Sequence, residues 1–295
     1  MKHSDTVYLL DSSIYIFRAW FGMPDTLLDE NGRPVNAVYG YFRLLLQQIR
    51  SLEPHYLVAA FDESLFNGFR HNLYPNYKSN RALPDEALAY QLDLCKLLTQ
   101  AAGITCLADQ DYEADDLIAW AAGTAHKQSK RCVVITRDKD LAQVIRPGDS
   151  LVDWASGTES SYEQLCEHWS LRPEQIADLL ALMGDAADGI PGIQGIGKKT
   201  ATRLLQQFPD LETLYDHLDE VQGLPVRGAK GLYFKLAGHR EEALLFRELT
   251  RLRPPQQHIA LEVMTVERAS MEKLMTLVKQ LGLGVRFENL IRRFF

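Results

Sequence analysis

Acidic residues follow three predicted strands of this chain. Asp11 comes directly after VYLL, Asp62 after YLVAAF, and Asp138 and Asp140 after CVVIT and Arg137. Short apolar runs that alternate with longer helical patterns predict a parallel sheet covered by crossover helices. The predicted strands span residues 7–10, 56–61 and 132–136. Because ligands bind beyond the carboxyl ends of parallel strands, we expect these four carboxylates to converge on one crevice.

A further acidic group lies in DYEADD, residues 111–116, ahead of the apolar segment LIAWAA. Glu113, Asp115 and Asp116 fall in the first turn of a predicted helix, where the helix dipole favours negative charge. Glu113 and Asp116 share a helix face, whereas Asp115 points elsewhere and could bridge towards a second ion. Taken singly, each acid is explained as a helix cap or a turn former. Taken together they indicate a cation site, because like charges in one cleft repel unless cations neutralise them.

The expected cation is Mg²⁺ or Mn²⁺. The cluster offers carboxylates and neither Cys nor His, and such oxygen ligands suit hard divalent ions. Two of these ions, about 3.5–4 Å apart, are the standard arrangement for in-line displacement at phosphorus. The acids therefore predict phosphodiester or phosphate ester chemistry.

A glycine-rich turn, GIQGIGKKT, occupies residues 192–200. It matches most of a Walker A loop, but Lys199 stands where Ser or Thr is required, and residues 173–184 before it have helical periodicity. The turn therefore joins two helices, the second predicted at 198–208. The free N–H groups at the start of that helix suit a phosphodiester backbone. The residues predicted to contact DNA here are Gly192, Gly195, Gly197, Lys198 and Lys199.

Asp185 and Asp188 lie just before this turn, in MGDAADGIPG. They complete a second metal site if the turn folds against the crevice. Alternatively, they are turn-forming residues beside Gly189 and Pro191. The residues alone leave both interpretations open.

Two other segments are basic. Residues 66–81, FNGFRHNLYPNYKSNR, carry Arg70, Lys78 and Arg81 among aromatic residues and contain no acid. Such a mixture suits a single nucleic-acid strand, although a solvated loop is the alternative. Its position just after Asp62 favours binding. A second run holds seven basic residues against three acids, the basic ones being Arg227, Lys230, Lys235, Arg240, Arg247, Arg251 and Arg253.

The composition is that of an ordinary globular protein. The 295 residues include 32 Lys and Arg against 39 Asp and Glu, a formal net charge of −7 that by itself argues against a nucleic-acid partner. With the nine proposed metal ligands set aside, however, basic residues outnumber acidic ones. No apolar run is long enough for a membrane span or a signal peptide, so we expect a cytoplasmic protein with no membrane partner. The four cysteines are far apart and predict free thiols.

In their order along the chain, these motifs resemble the bacterial and phage 5′-nucleases. That family includes the 5′-to-3′ exonuclease domain of DNA polymerase I and stand-alone flap endonucleases. The matching segments are LLDSSIYIFRA, AVYGYF, VAAFD, FRHNLYPNYKSNR, EADDLIA, ITRDKDL and LMGDAADGIPGIQGIGKKTA. One departure is Gly189, where many relatives have Asn. Because the chain starts at Met1 and no linker trails the last motif, we expect it to be free-standing. We also expect a monomer.

The resemblance implies an α/β fold, with a PIN-like parallel-sheet nuclease core and a helical helix-three-turn-helix DNA-binding region. Residues 1–170 would form the core, with a helical arch at about 64–90. Residues 171–255 would form the DNA-binding region, and 256–295 would be a C-terminal segment that packs back on the core.

The resemblance also implies roles for individual residues. The first-metal group would be Asp11, Asp62, Glu113 and Asp115. The second-metal group would be Asp116, Asp138, Asp140, Asp185 and Asp188. Lys78 and Arg81, with Tyr77, match the family's arch and would stabilise the scissile phosphate, while Arg70 in the same segment would contact DNA. Similar proteins hold K⁺ through backbone carbonyls in the glycine turn, so residues 192–197 would do likewise.

The expected function is therefore structure-selective 5′-nuclease activity, both 5′-to-3′ exonuclease and flap endonuclease, used in DNA replication and repair. The substrates would be DNA with 5′ flaps, 5′ ends or nicks, including RNA-primer strands, and the products would carry 5′-phosphates. One alternative is a junction-binding protein with weak or no cleavage, which the complete set of acids disfavours. The other is a PIN-type ribonuclease, which the long glycine-turn segment disfavours.

Overall fold

The computed structural model describes residues 5–64, 68–81, 83–226 and 228–295. Arg227 of the second basic run, and residues 65–67, which include the first two of the 66–81 segment, lie outside the described residues. Among the described helices, none is both long and apolar enough to cross a bilayer.

One mostly parallel sheet forms the centre of the molecule. Its strands are β1 (Thr6–Asp11), β2 (Tyr56–Ala60), β3 (Thr105–Leu107), β4 (Arg131–Ile135), β5 (Ser150–Asp153) and β6 (Thr158–Ser161). The order across the sheet is β3-β2-β1-β4-β5-β6, and only the pairing of β5 with β6 is antiparallel. The three predicted strands are confirmed as β1, β2 and β4, which are neighbours, and the predicted α/β class is confirmed with them.

Thirteen helices are present in the described part of the chain. Those of the first 170 residues are α1 (Ser12–Gly22), α2 (Asn36–Leu52), α3 (Phe69–Leu73), α4 (Glu86–Ala101), α5 (Ala114–Lys127) and α6 (Tyr162–Trp169). The rest are α7 (Ile176–Met183), α8 (Lys198–Gln207), α9 (Leu211–Asp216), α10 (Ala229–Gly238), α11 (Arg240–Thr250), α12 (Met271–Gln280) and α13 (Val285–Phe294). Short 3₁₀ turns lie at Asp140–Val144, Pro173–Gln175, Leu218–Gly223 and Leu261–Met264.

The two faces of the sheet bury two separate cores. Alternate residues of a strand point to opposite faces, so Val7 and Leu9 of β1 pack with α5, α7, α8 and α11, whereas Leu10 packs with α1, α2 and α4. Helices α12 and α13 add their apolar side chains to the second core, against α2 and α4. Because helices cover both faces of the sheet, the strands are buried on both sides. This burial explains why their sequences are unbroken apolar runs.

The strand register sets where the acids emerge. Leu10 of β1 lies opposite Ala59 of β2 and Ile135 of β4, so all three strands end at the same edge. Asp11 is the last residue of β1, and Asp62 and Asp138 follow β2 and β4 within three residues. Helix α5 packs against β1, β2 and β4 and begins at this edge. The sheet therefore gathers acids that are far apart in the chain.

The glycine-rich segment joins α7 to α8 through a tightly folded loop, as the helical periodicity predicted. Its base is closed by two hydrogen bonds of 2.8 Å between the backbones of Asp185 and Ile190. Gly192 has φ +65°, and a Cβ there would lie only 2.2 Å from the backbone nitrogen of Gly184. Only glycine allows these two backbone strands to approach so closely.

We predict that Gly192→Ala destabilises the fold by about 2–4 kcal/mol, because the added methyl group meets backbone atoms that cannot move aside. Urea denaturation followed by circular dichroism measures the change. The matched control is Gly123→Ala in the middle of α5, where a Cβ meets nothing within 4 Å. That control should be neutral or stabilising by about 0.5–1 kcal/mol, and equal free energies of unfolding for the two variants would contradict the packing described here.

Candidate active site

Four acids form the centre of the site at the carboxyl edge of the sheet. Burial, together with the charges of Asp138 and Asp62, raises the pKa of Asp11 to about 6, against a hydrogen bond from Thr136 that lowers it. Burial likewise raises the pKa of Asp115 well above its usual range, with added repulsion from Asp138 and Asp11. Mutual repulsion of this kind requires that the carboxylates lie close together. Asp11 thus lies within reach of the charges of Asp62 and Asp138, two of the three other carboxylates expected at this edge.

Local hydrogen bonds hold these carboxylates in place. The hydroxyl of Thr136, the residue after β4, donates to Asp11 Oδ2 at 2.8 Å and accepts from the backbone N–H of Asp138 at 2.9 Å. Asp62 accepts from the Ser64 hydroxyl at 2.8 Å. Burial and the nearby charge of Glu113 raise the pKa of Asp62. The carboxylates are thus pre-positioned while their repulsion is left largely uncompensated.

A second part of the site connects the turn after β4 with the glycine-rich loop. Lys139 Nζ lies 3.0 Å from Asp140 Oδ1 and 2.9 Å from Asp185 Oδ2. Burial and the charge of Asp138 raise the pKa of Asp140 to about 6. Asp138 Oδ1 accepts from the backbone N–H of Asp140 at 2.8 Å, which orients the pair. The loop that carries Asp185 therefore folds against the sheet edge.

The predicted arch residues lie against the same acids. Lys78 Nζ lies 2.8 and 2.9 Å from the two carboxylate oxygens of Glu113. Arg81 Nη2 lies 2.6 Å from Asp188 Oδ1, and the Tyr77 hydroxyl donates to both acids at 3.1 and 3.2 Å. Burial would raise the pKa of Glu113, but the charges of Lys78 and Arg70 outweigh it and hold that pKa below its usual range. Lys78, Arg81 and Tyr77 thus join the start of α5 to the glycine-rich loop.

The backbone also fastens the arch to that loop. Lys78 has φ +51°, which is uncommon for a residue other than glycine, and its N–H donates to the carbonyl of Asp188 at 2.9 Å. Gly189 follows, with φ +70°, and a Cβ there would lie 2.8 Å from the carbonyl oxygen of Asn76. Glycine at this position therefore allows the close approach of the backbone at Asn76.

The structure places two of the predicted site residues, Arg70 and Asp116, in a buried ion pair. Arg70 was expected to contact DNA, but it is only 3% exposed. Its guanidinium binds both carboxylate oxygens of Asp116 at 2.6 and 2.8 Å, which leaves no free face for a phosphate. Asp116 was expected to ligate the second metal, yet it is fully buried behind the first turn of α5. The sequence marks both residues as charged but does not reveal that they pair.

The donor set fits hard divalent cations. Within the described residues, Asp11, Asp62, Asp115 and Asp138 have no ion pair of 4.0 Å or less, although they repel one another. Carboxylates that repel one another are stabilised by a cation among them. The acids around Lys78 and Lys139 already have cationic partners. The four unpaired acids are therefore the best placed to hold a metal ion.

A different group of possible ligand atoms lies at the far end of α5. His126, Cys132 and Asp149 have ligand atoms within 4.8 Å of one another. Asp149, however, lies 2.7 Å from His126 Nε2 and accepts from the backbone N–H groups of Cys132 and Arg146 at 2.7 and 2.9 Å. These bonds tie α5 to the start of β4, so we assign the group a structural role.

Sequence reasoning missed an apolar wall beside the acids. Phe17, Trp20 and Phe21 of α1 line a cavity of about 500 Å³ together with Leu83, and the cavity also reaches Asp62, Lys78 and Glu113. Phe21 is 81% exposed and Leu83 is 62% exposed, which is unusual for large apolar side chains. The sequence did contain a signal for this wall. Trp20 and Phe21 follow Phe17 by three and four residues, a spacing that places the three aromatic rings along one side of α1.

The start of α8 presents the predicted basic surface. Lys198 and Lys199 are exposed at its first turn, and Gly197 precedes them. Lys198 Nζ lies 4.6 Å from the centre of the Trp169 ring, at the end of α6. Arg203 and His168 line the same shallow groove. Exposed N–H groups, lysines and an aromatic ring together suit a phosphodiester backbone.

Family models match nearly the whole chain. Residues 6–170 match the 5′-3′ exonuclease, N-terminal resolvase-like domain, and residues 171–273 match the 5′-3′ exonuclease, C-terminal SAM fold. DNA polymerase I of Rhizobium leguminosarum is 32% identical over 99% of this chain and 28% of its own length. The 5′-3′ exonuclease of Buchnera aphidicola is 29% identical over 86% of this chain and 89% of its own length. The chain thus spans less than a third of the Rhizobium polymerase that it matches.

Solved structures share the fold. A flap endonuclease of bacteriophage T5, described as a pseudo-enzyme-product complex with DNA and metal ions, aligns with a TM-score of 0.67 and 19% identity over 98% of both chains. Flap endonuclease-1 from Methanococcus jannaschii aligns with a TM-score of 0.63 and 14% identity, over 99% of this chain and 91% of the other. At such identities the agreement concerns the fold alone.

We predict that Asp115→Asn stabilises the protein in EDTA. A raised pKa means that the folded state penalises the ionised carboxylate, and that penalty is complete above the folded pKa. The variant should be more stable than the wild type at pH 8, and the difference in the free energy of unfolding should close as the pH falls towards about 4, the usual pKa of an aspartate. Urea unfolding at several pH values measures it.

The control is Asp93→Asn on the exposed side of α4, which should show no such pH-dependent gain. An Asp115→Asn variant that is less stable than the wild type at pH 8 would argue against repulsion among these carboxylates.

Proposed function

The chain belongs to the 5′-3′ exonuclease family, and from this premise we propose that it is a divalent-metal-dependent, structure-selective 5′-nuclease. It would hydrolyse DNA at 5′ flaps, 5′ ends or nicks and leave 5′-phosphates. The observation that carries the proposal is the group of unpaired, mutually repelling carboxylates at the sheet edge, directly beside Lys78 and Arg81. Anionic ligands for cations and cationic groups for a phosphate therefore lie side by side.

Asp11, Asp62, Glu113 and Asp115 would hold one ion, and Asp138, Asp140, Asp185 and Asp188 would complete the second position. Mg²⁺ or Mn²⁺ bound there would lower the pKa of water and offset the charge that develops on the leaving oxygen. Thr136 bonds to both Asp11 and Asp138 and so holds one acid of the first metal group at a fixed position relative to one acid of the second. Such pre-positioning lowers the reorganisation needed during reaction.

Lys78 and Arg81 would bind the scissile phosphate. Both are held at the edge of the crevice by carboxylates, and Lys78 is nearly buried whereas Arg81 is half exposed. A phosphodiester entering the crevice offers the same kind of anionic partner as Glu113 and Asp188. The Tyr77 hydroxyl, which bonds to both of these acids, would keep the arch in place while the two cations exchange partners.

The glycine turn and the start of α8 would grip the duplex beside the cut. Gly192 allows the close backbone approach to Gly184, Gly195 and Gly197 follow in the same turn, and Lys198 and Lys199 face solvent. Backbone carbonyls of residues 192–197 would hold K⁺. This grip concerns phosphates and reads no bases, which suits recognition of DNA shape.

We also propose a domain organisation and a cellular role for the chain. We assign the nuclease core to residues 1–170, including the arch at about 64–90, and the helix-three-turn-helix region to 171–255, with 256–295 closing against α2 and α4. The protein would act as a cytoplasmic monomer in DNA replication and repair. RNA-primer strands annealed to DNA are a further candidate substrate.

A 5′-labelled flap substrate tests the activity directly. We expect cleavage near the flap junction with Mg²⁺ or Mn²⁺ and none with EDTA, and Asp115→Asn should slow cleavage by orders of magnitude while sparing DNA binding, because it removes a metal ligand. Gel electrophoresis measures both products and complexes. Intact substrate with every metal, despite a gel shift, would instead identify a junction-binding protein. Preferential cleavage of an all-RNA flap would indicate a ribonuclease.

We further predict that replacing Lys198 and Lys199 together by Ala weakens duplex binding and reduces the slope of log K against log[salt] by roughly 1–2, because two phosphate contacts are lost. Fluorescence anisotropy in Ca²⁺ at several salt concentrations gives the slope. The matched control replaces Lys273 and Lys279 of α12, which also removes two positive charges. An unchanged slope in the first double variant would show that α8 does not contact the duplex backbone.

A further inference from the structure

Arg70 and Asp116 form a buried ion pair that the proposed chemistry leaves unused. We propose that this pair, named here the Arg70–Asp116 clasp, positions the catalytic end of α5 by fastening it to the arch and to the end of α11. Asp116 is then a positioning residue and not a metal ligand. The proposal rests on the nuclease function proposed above, since it concerns how the same acids are held in place.

Hydrogen bonds occupy the acceptor positions of the Asp116 carboxylate. Oδ2 accepts from Arg70 Nη1 at 2.6 Å and from the backbone N–H of Glu113 at 3.2 Å. Oδ1 accepts from Arg70 Nη2 at 2.8 Å and from the backbone N–H of Arg253 at 2.7 Å. A carboxylate offers about four acceptor positions. With these four donors in place and the side chain fully buried, a cation would have to displace one of them.

Arg70 connects three separate parts of the described chain. It belongs to α3 at the base of the arch, and its fork binds the first turn of α5 through Asp116. Its Nε donates to the carbonyl of Leu249 at 2.8 Å, and Nη2 donates to the carbonyl of Arg251 at 3.0 Å. These carbonyls belong to the last turn of α11 and the residue after it, where a cation also interacts favourably with the helix dipole.

The geometry of the clasp requires arginine. A guanidinium presents a planar set of donors that can bind a carboxylate with two parallel bonds and still reach carbonyls from its remaining N–H groups. The ammonium of lysine would keep the charge but could not occupy all of these positions. The Arg70→Lys variant therefore keeps the positive charge of the clasp but loses its two-bond geometry, so it tests the two contributions separately.

The clasp bears on catalysis through its position. Asp116 holds the backbone N–H of Glu113, the residue that binds Lys78, and lies next to Asp115 in the chain. Loss of the clasp would allow the first turn of α5 to shift relative to Asp11 and Asp138. Displacement of a reacting group by about 1 Å can cost about 100-fold in rate. DNA held by the helical region would also lose a rigid connection to the acids that cut it.

A double-mutant cycle tests the clasp. The variants are Arg70→Gln, Asp116→Asn and the double variant, all in the full chain, with Arg70→Lys as the charge-conserving variant. At saturating flap DNA and Mg²⁺, each single variant should cut about 100-fold more slowly in single turnover, and the double variant should be no slower than the worse single one. Arg70→Lys should fall between the wild type and Arg70→Gln. Strictly multiplicative losses would overturn the clasp.

Metal binding separates a positioning residue from a ligand. Electron paramagnetic resonance of free Mn²⁺, titrated with protein in the absence of DNA, counts bound ions without relying on cleavage. Asp116→Asn should bind as many Mn²⁺ ions as the wild type, whereas Asp138→Asn, the matched loss of one carboxylate, should bind fewer. Arg70→Gln breaks the same pair but keeps the Asp116 carboxylate. Loss of an ion in Asp116→Asn but not in Arg70→Gln would restore Asp116 to the metal site and overturn the proposal.

Two further outcomes are decisive. If the wild type does not cut the flap, the proposed function fails, yet the Mn²⁺ count still decides the place of Asp116. If the neutral variants unfold at the assay temperature, Arg70→Lys carries the test. A folded Arg70→Lys protein that cuts as fast as the wild type would overturn the requirement for the guanidinium.

Discussion

Repulsion among buried carboxylates at one edge of the sheet is the constraint on which the rest of this structure depends. Ionised acids this close together oppose folding unless each has a partner or a cation nearby. The acids of this site fall into two groups. Some acids are paired with Lys78, Arg81 and Lys139, whereas others have no cationic partner among the described residues, and of these Asp11 has a raised pKa. Only the unpaired group requires an external cation, and it is centred on Asp11 in the middle of the sheet.

The sheet order makes this concentration possible. Because β1 lies between β2 and β4, acids that follow three different strands are brought to adjacent positions. Helices on both faces make the sheet rigid, and α5 adds its first turn to the same edge. The glycine-rich loop then closes the crevice from the side of the helical region. The proposed DNA binding and hydrolysis would thus take place at one boundary between the two halves of the chain.

Much of this arrangement was predictable from the sequence, because the period of a buried strand and the acid after it are local features. Strands at 7–10, 56–61 and 132–136 and the helices that flank residues 192–197 were confirmed on such grounds. The roles of Arg70 and Asp116 were not predictable, since residues 46 positions apart must meet before their charges can pair. The same limit applies to Lys139, whose partner Asp185 is equally distant in sequence. Periodicity identifies faces, whereas pairing depends on tertiary geometry.

The bond between the backbones of Lys78 and Asp188 joins two loops that the chain separates by more than a hundred residues. Gly189 allows that contact, because a side chain there would strike the carbonyl of Asn76. The segment around Lys78 and the loop at 184–192 are therefore matched to each other at this contact. An arch taken from a relative that has Asn at the position of Gly189 would be separated from the loop against which it packs in that relative. Exchanges between members of this family are best made with both loops together.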